Sequence, residues 1–140
     1  TDFIVGTGND VLNFSAFSID GVAGAQAPTG AQLRAVDTAA PLLPTSVGGL
    51  IVRLVDIAGN ENITTAAGLT AAVAGTGEYA LINMAASQKA IFITSATNGA
   101  DADFVFFAQS DSSGVITATL VGTLTNAVDI DNYVAGNFLI

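Results

Sequence analysis

The 140-residue chain has no cysteine, no histidine and no tryptophan, and only three basic residues, Arg34, Arg53 and Lys89. Without Cys and His there is no Ser-His-Asp or Cys-His triad, no structural zinc, no haem on histidine and no thiol redox chemistry. A disulfide framework is excluded too. That leaves the compartment open, because disulfides outside the cell are an option and not an obligation. Three scattered bases cannot build the cationic stripe that nucleic acid requires, so no nucleic-acid partner is expected. Long apolar runs are missing as well. The strongest, Leu50 to Ile57, is interrupted by Arg53 and falls far short of the roughly 20 residues that cross a bilayer, which predicts no membrane span. The first residues lack the basic start and apolar middle of a secretory signal, so an export address is expected elsewhere.

What remains is apolar, small and acidic. Hydrophobic residues make up 51% of the chain and charged ones 11%, against about 25% charged in an average soluble domain. Twelve acids against three bases give a net charge of −9. Such a chain folds, and its length suits one domain over residues 1–140. Residues 1–17 read as strand, turn, strand around Gly-Thr-Gly-Asn-Asp. Residues 18–49 are rich in Gly and Ala, and Pro28, Pro41 and Pro44 block any long regular element. A segment so long is expected to hold short strands or a helical turn around Gln32 to Ala35.

In residues 50–140 the β-branched stretch Gly49 to Ile57 predicts a strand. Thr64 to Ala74 predicts the one helix, with Thr64 or Thr65 as N-cap, Gly75 as stop, and Ala66, Leu69 and Val73 on its apolar face. Lys89 to Ala96, Phe104 to Gln109 and Val115 to Leu124 predict an antiparallel meander with polar turns between them. Their consecutive apolar residues predict strands covered on both faces, by a helix or by a neighbouring molecule. The fold class is thus mainly β: an antiparallel β-sandwich-like domain with one short α-helix and a short β-roll turn possible at the N-terminus.

Val5-Gly-Thr-Gly-Asn-Asp-Val-Leu-Asn13 matches the calcium-binding nonapeptide at every defined position except the first, where Val5 stands for Gly. Gly6 and Gly8 let carbonyls turn inward, Asp10 offers a hard anionic oxygen, and Leu12 plants the turn in a core. One turn supplies half a site, and the plainer alternative is a hairpin turn with Asp10 exposed. Asn98, Asp101, Asp103 and Asp111 flank two successive hairpin turns and form a second candidate calcium set, with solvated turn acids as its alternative. Calcium is therefore the one candidate cofactor. Glycosidase chemistry would need two carboxylates in a cleft lined with aromatics, and the tyrosines are only Tyr79 and Tyr133; no enzyme activity is expected.

The Gly-Thr-Gly-Asn-Asp-Val-Leu-Asn-Phe-Ser-Ala-Phe start, the cysteine-free acidic body and the Asn-Phe-Leu-Ile end together resemble the C-terminal region of bacterial proteins exported by type I secretion. That family includes repeats-in-toxin exoproteins, adhesins and surface-layer proteins. The resemblance implies an extracellular or cell-surface location, the type I machinery as a partner, and Asn137, Phe138, Leu139 and Ile140 as an uncleaved secretion signal. Independently, a surface with so few charges packs well against copies of itself. The expected function is a self-assembling subunit of a filament or surface layer, a homopolymer. Phe3, Ile4 and Val5, or Phe138, Leu139 and Ile140, would insert into a neighbour by strand addition. The alternative is a calcium-responsive secretion or binding domain of a larger exoprotein.

Overall fold

A computed structural model describes residues 10–19, 28, 32–36, 50–55, 63–74, 77, 79, 84–95, 102–125 and 130–140. The elements, in chain order, are strand β1 (Leu12–Asn13), a 3₁₀ turn (Ser15–Phe17), β2 (Leu33–Val36), β3 (Leu50–Leu54), helix α1 (Ala66–Val73), β4 (Lys89–Ser95), β5 (Ala102–Ser110), β6 (Ile116–Thr125), two further 3₁₀ turns (Ile130–Asn132 and Ala135–Asn137) and β7 (Phe138–Leu139). Among the described residues the fold is mainly β with one short helix. Strands β2-β3-β4-β5-β6 form one sheet in that order, and β1 and β7 form a second, two-stranded one.

The meander reads as expected: β4 to β5 and β5 to β6 are antiparallel. The other half of the sheet differs from the antiparallel expectation, since β2–β3 and β3–β4 are parallel. Helix α1 lies between β3 and β4 in sequence, and a helical crossover is the usual way for a chain to re-enter a sheet in the same direction. The region around Gln32 to Ala35, open between strand and helical turn, is a strand.

Side-chain alternation sorts the sheet into two cores. On one face Leu50, Val52, Leu54, Ala90, Phe92, Phe106 and Ala108 pack with Leu69 and Val73 of α1. On the other, Ile51, Ile91, Ile93 and Val105 pack with Phe14, Ile130, Tyr133, Phe138 and Ile140. Helix α1 therefore covers one face, and the segments around β1 and β7 cover the other. This is why Ile91-Phe92-Ile93 is apolar at consecutive positions. Each fully buried large side chain contributes roughly 1.5–3 kcal/mol.

The helix starts where its cap allows: the Thr65 side chain accepts a hydrogen bond from the Gly68 amide at 3.0 Å. Its predicted face is the buried one, with Leu69 and Val73 inside and Ala66 packed at the margin; Gly75 lies outside the described residues. Arg53 donates through Nη1 to the carbonyls of Ile130 (3.0 Å) and Asp131 (2.8 Å), fastening a 3₁₀ turn over the sheet. Lys89 reaches the Phe17 carbonyl at 3.3 Å.

Candidate self-association surface and acidic turns

Among the described residues no strand lies beyond β6, so its outer edge is open. The hydrogen-bond phase shows which groups face outward. The Ser110 amide donates to Gln88 on the β4 side, and the Asp111 amide donates to Val115 on the β6 side. Because the backbone direction alternates along a strand, Gln109 and Phe107 bond to their register partners Thr117 and Thr119. Ile116, Ala118 and Leu120 then turn their N–H and C=O away from β5. Their side chains follow the helix-side core, which Ile116 and Ala118 join, while Thr117 and Thr119 point to the opposite face.

This edge corrects one expectation. The strand read as covered on both faces is exposed at Thr117, Thr119, Leu120 and Val121. Leu120 and Val121 are each 42% exposed and Val115 61%. A bulge interrupts the pairing, with Val105 opposite Gly122 and Phe106 opposite Leu120, so Val121 is the extra residue. Beside the edge, Phe107, Gln109, Ser110, Asp111, Thr117 and Thr119 line a shallow groove of about 290 Å³. The signal for exposure was present in the alternating threonines at 117, 119, 123 and 125.

Two members of the second acidic set, Asp103 and Asp111, are not brought together. Asp103 lies near the start of β5 and Asp111 just beyond its end, eight residues and therefore about 27 Å apart along an extended strand. Successive hairpin turns of a meander open at opposite ends of the sheet, so these two carboxylates cannot share an ion. Asp111 serves its own turn: its Oδ1 accepts from the amides of Ser113 (2.7 Å) and Val115 (3.0 Å), and Gly114 supplies the positive φ of 82°. Asp103 is 2% exposed and accepts a 2.6 Å hydrogen bond from the Tyr133 hydroxyl. Burial first, and then the hydrogen bond to Asp103 and its charge, push the Tyr133 phenol far above its ordinary value. Asn98 and Asp101 lie outside the described residues, as do Gly6 and Gly8 of the nonapeptide-like turn. Among the described residues no three acids cluster.

Asp10 is exposed, and its main-chain carbonyl accepts from Asn137 Nδ2 at 3.1 Å. Asn137 is fully buried, and its Oδ1 also accepts from the Val134 amide at 3.1 Å. Leu12 and Asn13 pair in parallel with Phe138 and Leu139. The two segments that carry the family resemblance are thus in contact with each other. Phe138 and Ile140 are 0% and 1% exposed, and the Phe138 ring stacks on Phe14 at 6.3 Å and Tyr133 at 5.8 Å. Where insertion of Phe138, Leu139 and Ile140 into a neighbour was expected, the segment is housed in its own chain. Phe3, Ile4 and Val5 lie outside the described residues.

No family model, no curated protein and no solved structure matches the chain.

Proposed function

We propose that the chain is an extracellular structural protein, a self-assembling subunit of a bacterial filament or surface layer exported by type I secretion. The observation that carries this reading is β6: ten residues long, free of ionisable side chains and proline, and open at its outer edge among the described residues. Monomeric β proteins blunt such edges with lysine, proline or brevity. The scarcity of charged residues, 11% of the chain, supports the same reading, since it leaves neutral patches where two copies can meet away from the acids that give each a net −9. Export by type I secretion rests on the resemblance of the Gly-Thr-Gly-Asn-Asp start and the Asn137-to-Ile140 segment. No catalytic role is part of the reading.

The test is size-exclusion chromatography with light scattering, with and without chelator, followed by electron microscopy. The expected result is a large oligomer that chelator leaves intact. A monomer that unfolds in chelator would instead favour the calcium-responsive module, with Asp10 and its neighbouring turn as the metal-dependent part. A chelator-insensitive monomer at millimolar concentration would end the assembly reading.

A further inference from the structure

Resting on the self-assembly reading, we propose that β6 pairs with β6 of a second copy, antiparallel, about a two-fold axis at Ala118. The strand is its own complement in that register. Ile116 falls opposite Leu120 of the second copy, Ala118 opposite Ala118, and Val115 opposite Val121. Those five positions include three exposed large apolar side chains, Val115, Leu120 and Val121, which meet apolar partners. The main-chain groups that Ile116, Ala118 and Leu120 turn outward are those an antiparallel neighbour bonds in hydrogen-bonded pairs. Thr117 then faces Thr119 of the second copy in a non-hydrogen-bonded pair, where Cα atoms lie about 4.5 Å apart and threonines pair favourably. The bulge at Val121 closes the flat stretch at its far end.

The self-complementary register selects the second copy as the occupant, and charge selects β6 as the edge. Each copy carries −9, so two copies meet best where neither presents a charge, and no ionisable side chain occurs from Ser112 to Thr125. At the opposite edge of the described sheet, β2 has four residues and exposes Arg34, a short, cationic edge of the kind that resists pairing. A two-fold contact there would set two arginines near each other. Joining at β6 makes one continuous sheet across two copies.

Cysteine trapping reads the register directly, because the native chain has no thiol and both positions are exposed. Thr117→Cys and Thr119→Cys chains are made separately, mixed in equal amounts and oxidised mildly. Opposed residues at about 4.5 Å suit a disulfide, whereas the same-position pairs sit diagonally, at about 7–8 Å and at or beyond its reach. The expected product is the mixed 117–119 dimer, at least tenfold above either homodimer. A statistical mixture, or an excess of homodimers as parallel pairing would give, overturns the proposed register. In a second arm, Thr117→Lys with Thr119→Lys sets lysines against lysines and is expected to weaken dimerisation at least tenfold, with circular dichroism and melting temperature unchanged. If that variant assembles like the native chain, contact at β6 is overturned while self-assembly stands; if the native chain never associates, both readings fall.

Discussion

At the scale of single residues, the most consequential pair is Tyr133 and Asp103, buried together and joined by a 2.6 Å hydrogen bond. In the unfolded chain a tyrosine ionises near pH 10, whereas in the folded protein burial and the neighbouring carboxylate hold the Tyr133 proton well beyond that point. Above about pH 10 the folded state therefore binds more protons than the unfolded state, and its stability falls as pH rises. The slope for one such group approaches about 1.4 kcal/mol per pH unit. The stability involved is fully present below about pH 10. Tyr133→Phe removes both the slope and the donor to Asp103, and losing a partner to a buried polar group costs roughly 1–3 kcal/mol. The variant is expected to be less stable than the native chain at pH 7, with the gap narrowing above pH 10. Urea melts at pH 7, 9.5 and 11 measure this; a gap that widens with pH would refute the account.

Among the elements, β1 and β7 are each two residues long and stay in place through what surrounds them. Asn137 is the tie, accepting from Val134 and donating to Asp10 from a fully buried position. Asn137→Ala leaves the Val134 amide and the Asp10 carbonyl without that side chain and is expected to cost about 1–3 kcal/mol. The readout is a lower denaturant midpoint at an unchanged m-value, which separates lost stability from a changed unfolded state. In the sequence Asn137 figured only in the secretion signal that the resemblance implied, because its partner Asp10 lies far away in the chain. The meander, helix α1 and its Thr65 cap were legible, since each rests on local signals: β-branched runs, turn residues and a hydroxyl at the helix start. Strand direction was not legible from runs alone, although a helix between β3 and β4 was itself the sign of a parallel pair. Asp103 and Asp111 part for a related reason: closeness in sequence becomes the length of a strand in space. β6 was misread because its Ile, Leu and Val outweighed a threonine alternation that marks a wet face.

For the whole molecule, two contacts between copies compete, and they make opposite demands on the tail. The two-fold at β6 closes a pair, and a filament or layer is built from such pairs through a further contact. Strand exchange would move Phe138, Leu139 and Ile140 out of their own core and into a neighbour. Edge pairing at β6 leaves them at home. Deleting residues 138–140 cannot separate the routes, because losing buried Phe138 and Ile140 exceeds the cost of truncating each to alanine, about 3–5 and 2–5 kcal/mol. A loss of that size threatens a domain whose total stability is typically about 5–15 kcal/mol. Locking the tail does separate them. Asn13 is the register partner of Leu139, so Asn13→Cys with Leu139→Cys places two thiols on adjacent strands of one chain. Oxidation before assembly is expected to give an intrachain disulfide, seen as a mass loss of about two hydrogen atoms with no dimer band. The locked protein is then expected to form the same assemblies as the reduced one under the electron microscope, since β6 lies on the other sheet and is untouched. Assemblies that form only after reduction would show that the tail must leave home, and would place the polymer contact at β1 and β7.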